Sequence, residues 1–126
     1  MKRISIALAG AILSVVPVLA HHSFAAEYDS SAPVTVTGTV TKVEWTNPHS
    51  YVYVDVKDTN GNVVNWAIEG YPPNTLRRTG FTRDMMKQGD TVTINGWKAR
   101  DGANRMAARD VTLSNGNKVY FGPSAQ

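Results

Sequence analysis

A long strand that changes phase is the feature of this sequence that most restricts its fold. In "VTVTGTVT", residues 34–41, an apolar or small residue alternates with threonine. This period-two pattern of β-branched residues predicts a strand with one face toward a core. The apolar phase then shifts to Val43 and Trp45, so we expect a bulge near Thr41 and Lys42. A strand of this kind suits a sheet that bends around a barrel.

Four further strands are predicted, with a helical connection between the third and the fourth. The asparagine-glycine pair at residues 60–61 predicts a hairpin between the second and third strands. Helix starts at Asn74 and Thr82, and stops at Gly80 and Gly89, follow the third strand. A short end strand is expected at residues 119–121. The fifth strand runs through Val111 and Leu113. We expect one core that is formed by Val36 and Val40 of the first strand and by the inward positions of strands two to four, which are Val52, Val54, Val56, Val64, Trp66, Ile68, Val92 and Ile94.

The order of these elements predicts a mainly all-β fold. Three strands, a short helical connection and two strands are the order of an OB-like five-stranded barrel. The alternative is a small open β-sandwich. We divide the chain into a signal peptide at residues 1–20, an N-terminal arm at 21–33, the barrel domain at 34–122 and a tail at 123–126.

The first twenty residues have the pattern of a secretory signal peptide. Lys2 and Arg3 precede an uncharged stretch at residues 4–16, and Val18 and Ala20 lie three residues and one residue before a cleavage point. The stretch is shorter than the roughly 20 apolar residues that span a bilayer. We therefore expect cleavage after Ala20, export to the periplasm and no stable membrane span.

Removal of the signal peptide lowers the net positive charge of the chain. The Lys+Arg count falls from 13 to 11, against 10 Asp+Glu, so the mature chain is almost neutral. This balance argues against a nucleic-acid-binding protein, which needs a strongly basic surface. Because the chain has no cysteine, it has neither disulfides nor thiolate metal ligands. We expect packing alone to hold the exported domain together.

Several motifs of the mature chain resemble those of one protein family. They are "HHSF", "EWTNPH", "GFTRD", "QGDTVTINGWKARDG" and "ARDVTL". With them the chain resembles a family of small exported bacterial proteins that is catalogued only as a domain of unknown function. The resemblance covers essentially the whole mature chain. It implies export and a single small domain, and it implies no activity.

The three histidines are candidate metal ligands. Cleavage after Ala20 would place the α-amine of His21 beside its own ring nitrogen, and the two could chelate one ion. His49 could add a third nitrogen, and His22 a fourth or a supporting contact. An all-nitrogen set favours copper, and a tetrahedral histidine set with water favours zinc as the second choice. The competing interpretation is two solvated histidines at the terminus and a His49 that hydrogen-bonds within its own turn.

Aromatic side chains form a second candidate site. Tyr51 and Tyr53 share the outward face of the second predicted strand, and Trp45 lies near its end. Such a platform would stack a small ligand or a side chain of a partner protein. The alternative is that Trp45 belongs to the core and the tyrosines cover the sheet. The resulting second hypothesis is a protein-interaction or small-ligand module without metal.

Three arginines, Arg77, Arg78 and Arg83, surround the helical connection. They could hold an anion or an acidic partner, although a solvated basic surface is the simpler interpretation.

Signatures of catalysis are weak. Ser23, His49 and Asp55 supply the residue types of a triad, but no nucleophile elbow surrounds Ser23. The sequence contains neither a glycine-rich phosphate loop nor an HExxH motif. We expect a binding module rather than an enzyme, with copper redox chemistry as the exception to test.

Overall fold

The computed structural model describes residues 24–123, which consist mainly of β-strands. The expected signal peptide, His21 and His22 lie outside the described residues. Residues 24–27 are helical and lead directly into the first strand. The elements that follow are β1 (Tyr28–Glu44), β2 (Ser50–Lys57), β3 (Val63–Gly70), α1 (Pro73–Arg78), a 3₁₀ turn (Arg83–Met85), β4 (Thr91–Ala99), β5 (Arg105–Thr112) and β6 (Lys118–Tyr120). The predicted mainly-β fold is confirmed.

The six strands form one sheet in the order β3-β2-β1-β4-β5-β6. Consecutive neighbours in this order are antiparallel. In addition, β3 pairs with β5 in a parallel arrangement, so the pairings of β1 to β5 return to their starting strand. Five strands therefore enclose the core in a closed circuit of hydrogen-bonded neighbours.

The first strand is shared by both parts of this circuit. Its N-terminal part pairs with β4, and its C-terminal part pairs with β2. The predicted bulge is confirmed, because the register with β2 shifts between Val40 and Lys42. The glycine at position 38 is required for the close approach of β2, since a Cβ there would lie 2.2 Å from the carbonyl oxygen of Asp55. The bend in β1 thus depends on a bulge and on a missing side chain.

The start of β1 differs from the expected one. The strand begins at Tyr28, whereas the alternating pattern begins at Val34. Tyr28 pairs with Ala99 of β4, but the register shifts before Pro33 pairs with Trp97. Because this shift interrupts the alternation of side chains, the sequence before Val34 shows no strand period. Part of the expected N-terminal arm therefore belongs to the sheet.

The core agrees closely with the expected inward positions. Trp66 and Val56 are only partly buried against it, and Val64 is half-exposed. Val56 and Val64 lie where the β2–β3 hairpin extends beyond its pairing with β1, which ends at Asp55, whereas Trp66 lies opposite Val54 within the paired part. The expected residues that are fully buried in the core are Val36, Val40, Val52, Val54, Ile68, Val92 and Ile94, and Val111 and Leu113 are buried with them.

The helical connection also forms where it is expected. The short helix α1 begins at Pro73, and Thr82 caps the 3₁₀ turn. Gly80 and Gly89 follow them with positive φ angles of 87° and 93°, which favour glycine. The connection contributes Leu76, Phe81 and Met86 to the core. No helix within residues 24–123 is long and apolar enough to cross a membrane.

We predict that Val54→Asp abolishes stable folding. Val54 is 0% exposed, so the substitution buries a carboxyl group without a partner. The cost, several kcal/mol, is on the order of the whole stability of a small domain. Val63→Asp is the matched control, because Val63 is 61% exposed at the start of β3. Equal melting temperatures of the two variants would contradict the assignment of the core.

Candidate functional site

The imidazole of His49 is held at the end of β3. His49 lies in the loop between β1 and β2, as expected, directly before Ser50 pairs with Gly70. Its Nδ1 lies 3.3 Å from the carbonyl oxygen of Gly70 and 3.2 Å from Oε1 of Glu69. Since both partners accept hydrogen bonds, Nδ1 carries the proton. In the neutral ring Nε2 therefore keeps its lone pair, and the side chain is 47% exposed.

The carboxylate of Glu69 joins two distant segments of the chain. Its Oε1 faces His49, and its Oε2 accepts a hydrogen bond from the hydroxyl of Tyr28. The Glu69 side chain is only 14% exposed, so these partners replace much of its hydration. We refer to Tyr28, His49 and Glu69 as the Glu69 cluster.

Tyr28 reaches this carboxylate because a small apolar cluster holds it in place. Tyr28 packs with Trp97, Ala99 and Ala107 in a group that is separate from the main core. The ring of Phe24 completes it, at centroid distances of 5.5 Å from Tyr28 and 5.8 Å from Trp97. The parallel pairing of β3 with β5 sets Glu69 opposite Ala107. The N-terminal segment is thereby packed next to the strand that carries Glu69.

Burial and a hydrogen bond keep the hydroxyl of Tyr28 protonated. Burial raises the pKa of its phenol, and the hydrogen bond to Glu69 raises this pKa further. Tyr28 is therefore a neutral donor throughout the physiological range. The guanidinium of Arg105 lies 5.4 Å from the centre of the Tyr28 ring and pairs with Glu27 at 3.4 Å. This cation compensates part of the negative charge around the cluster.

Two of the predicted aromatic residues lie next to the Glu69 cluster. Tyr51 is directly opposite Glu69 in the pairing of β2 with β3. Its ring stacks on that of Tyr53, with the centroids 6.4 Å apart. Tyr53 in turn donates to Glu44 over 3.3 Å. Burial, and then the charge of Glu69, raise the pKa of Tyr51. The two tyrosines form a half-buried, neutral pair beside the carboxylate.

Trp45 belongs to a different part of the molecule. Its ring packs on Phe81, with centroids 5.5 Å apart, and against the main core. On its other side it lines a surface pocket with Pro73, Arg77 and Arg83. The structure therefore brings together Tyr51 and Tyr53 but does not bring Trp45 to them.

Only one of the three predicted metal ligands can be placed. His21 and His22 precede the described residues. Between Phe24 and Pro123, no group of three or more histidine, aspartate or glutamate side chains is arranged to hold a metal ion. Within the described residues, His49 alone combines a hydrogen-bonded Nδ1 with a second ring nitrogen, Nε2, on a partly exposed side chain. A carboxylate on the far side of a histidine is the usual support of a metal ligand, because it fixes the tautomer and the orientation of the ring.

Sequence reasoning missed Glu69, Tyr28 and Arg105. Glu69 is not among the candidate residues, although a local feature, the hairpin turn, determines its neighbour on β2. A two-residue turn at Asn60 and Gly61 would place Tyr51 opposite Gly70, but the loop holds three residues between Asp58 and Asn62, and Tyr51 therefore lies opposite Glu69. No comparable local signal points to Tyr28, because its contact with Glu69 depends on a pairing between distant strands.

We predict that Tyr28→Phe destabilises the protein by about 1.5–3 kcal/mol, because it removes a hydrogen bond to a charged, poorly exposed carboxylate. Urea denaturation measures the loss. Tyr120→Phe is the matched control, since Tyr120 is 64% exposed. If both variants lost the same stability, the Tyr28–Glu69 contact would not anchor the N-terminal segment.

Comparison with known proteins places the chain in a family. The sequence model described as "Family of unknown function (DUF6152)" matches residues 10–108. The matched range contains every residue of the Glu69 cluster. No curated protein matches the chain. The expected membership in a family of unknown function is confirmed: the chain belongs to the DUF6152 family.

Proposed function

We propose that this protein is an exported periplasmic module that binds a copper-type metal ion through His21, His22 and His49. The observation that carries the proposal is the shared carboxylate of Glu69. Tyr28, near the start of the mature chain, and His49 both contact it. The segment that leads to the two N-terminal histidines is thus tied to the loop that carries the third.

The first ligands depend on processing. Cleavage of the signal peptide after Ala20 makes His21 the first residue, so that its α-amine and its ring Nδ1 chelate one ion. His22 adds a further nitrogen or supports the first two. Export favours such a site, because an exported protein is no longer exposed to the buffering that withholds metal ions in the cytosol.

The ligand from the folded domain is Nε2 of His49. The other ring nitrogen, Nδ1, donates toward the carbonyl of Gly70 and the carboxylate of Glu69, so the lone pair of Nε2 stays available. Glu69 acts as a positioning residue that orients this ring. Loss of such an outer partner typically lowers metal affinity by about 10- to 100-fold.

Chain length permits the ligands to meet. Seven peptide units separate Tyr28 from His21. They extend up to about 25 Å when fully extended. With residues 24–27 helical the reach falls to about 15 Å, at a helical rise of about 1.5 Å per residue. Since Tyr28 and His49 contact the same carboxylate, this reach is long enough for the N-terminal histidines to approach His49.

The ligand types and the fold support the choice of metal and of site. A set of nitrogen ligands favours Cu(II), with Zn(II) as the second choice. We interpret the closed circuit of β1 to β5 as an OB-like barrel. In such barrels the loop between the first two strands borders the usual ligand face, and His49 lies in that loop. The role proposed is binding, not catalysis.

The stacked pair of Tyr51 and Tyr53 favours a second candidate function. Both rings are half-buried, and Tyr51 lies opposite Glu69, so the pair offers a flat surface to a small ligand or to a side chain of a periplasmic partner. Under this alternative no metal binds. Metal titration of the Tyr51→Ala variant separates the two candidates. The variant keeps every proposed metal ligand, so it should still bind metal if the first candidate holds.

We predict that the mature protein begins at His21. Intact-mass measurement of the exported protein should give residues 21–126. A mature start at Glu27 would remove both N-terminal histidines and end the metal proposal.

We predict that Cu(II) binding needs both the free N-terminus and His49. Calorimetry compares the native start, a chain with one extra residue before His21, and His49→Ala. Each change should weaken binding at least tenfold, which is about 1.4 kcal/mol, because each removes a nitrogen ligand. Glu69→Gln should weaken it about 10-fold or more through the orientation of His49. Glu44→Gln is the control, since Glu44 pairs with Lys42 and Tyr53 instead.

Acid should weaken the same binding, because protons compete with the metal for imidazole and amine nitrogens. The same calorimetry at decreasing pH measures this loss. Equal Cu(II) affinity of the native start, the extended chain and His49→Ala would contradict the proposal.

A further inference from the structure

A pocket on the helical connection has the chemistry of an anion site. Trp45, Pro73, Arg77 and Arg83 line it, and its volume is about 240 Å³. We propose that this pocket binds a small carboxylate that carries a flat apolar ring. The site shares no residue with the Glu69 cluster, so it is independent of the proposed metal function.

One wall of the pocket is fixed by the core. The ring of Trp45 packs on Phe81, which is 1% exposed, and Phe81 packs edge-on against Phe121 with centroids 5.4 Å apart. Trp45 directly follows β1, and Pro73 is the first residue of α1. These two side chains provide flat apolar surfaces held by regular structure. Such surfaces accommodate a planar ring.

The charged side of the pocket is positive. Arg77 and Arg83 both line it, and no carboxylate is among the lining residues. Across residues 24–123, neither arginine forms an ion pair with a carboxylate. Arg77 instead donates to the side-chain oxygen of Asn74 over 2.8 Å, which restricts its position. Guanidinium groups pair well with carboxylates, often through two hydrogen bonds.

Asp84, the carboxylate next to Arg83 in the chain, does not line the pocket. Its carboxylate accepts a hydrogen bond from the hydroxyl of Thr82 over 2.6 Å. That bond lowers the pKa of Asp84 and holds the group at the cap of the 3₁₀ turn.

A buried donor supports the choice of a ligand with oxygen acceptors. The indole Nε1 of Trp45 is buried, and within the described part of the chain it has no hydrogen-bond partner. Unsatisfied buried donors are uncommon in folded proteins, and each one calls for an explanation. Because Nε1 is buried in this structure, a ligand oxygen would reach it only if the Trp45 ring shifts on binding.

The size of the pocket limits the ligand to one small ring. Pockets for drug-sized ligands are larger, roughly 300–1,000 Å³. Benzoate combines one ring with one carboxylate and is the probe of choice. Inorganic phosphate has the charge without the ring, and benzamide has the ring without the charge.

The test is a titration of the intact, ¹⁵N-labelled protein followed by NMR. The readout is the indole N–H signal of Trp45, which is assigned with Trp45→Phe. Benzoate should shift this signal, and benzamide and phosphate should bind at least fivefold more weakly. Arg77→Gln and Arg83→Gln should each weaken benzoate binding about fivefold, as expected for an exposed ion pair. Arg78→Gln is the matched control, because Arg78 is exposed on α1 and does not line the pocket.

Three results would overturn the proposal. The first is no benzoate-dependent shift of the Trp45 signal. The second is binding of benzamide or phosphate that equals that of benzoate, since the site would then not select a ring with a carboxylate. The third is an equal effect of Arg78→Gln, which would show that only the general positive charge of α1 acts.

Discussion

Three residue pairs between β3 and β5 close the sheet on which the rest of the structure depends. Ala67, Ile68 and Glu69 pair with residues 105–107 in a parallel register. Without this pairing, β3 and the first part of β5 would each have an unpaired edge, since β6 pairs only with residues 110–112 of β5, and the core would be open on one side. The middle pair, Ile68 with Met106, is fully buried. The same closure determines which side chains meet outside the core.

Glu69 shows how the closure creates a site. Closing the circuit brings its carboxylate into a half-enclosed position, where loss of hydration must be offset by hydrogen bonds. Tyr28 supplies a hydrogen bond and His49 a close contact of its Nδ1, from two segments that are far apart in the chain. One carboxylate thereby orders the N-terminal segment and fixes the tautomer of a histidine. In our proposal both effects serve metal binding.

Much of the fold could be predicted from the sequence because its signals are local. The alternation around Val36 and Val40, the phase shift after Thr41 and the Asn60–Gly61 turn act within a few residues. The start of β1 at Tyr28 could not be predicted, because the register shift before Pro33 hides its period. His49 was correctly placed in its loop, but its support by Glu69 depends on the end of β3. The contact of Tyr28 with Glu69 spans 41 positions and depends on the closed circuit.

We propose that the N-terminal histidines and His49 bind the same metal ion. The most direct measurement is NMR of the mature protein at substoichiometric Cu(II), since the paramagnetic ion broadens signals of nuclei close to it. The proposal predicts that the ring signals of His49 and of His21 disappear together, while the amide signal of Gly61, at the far end of the β2–β3 hairpin, stays sharp. Loss of the His21 signals with those of His49 intact would contradict it, because the metal would then be held by the terminus alone.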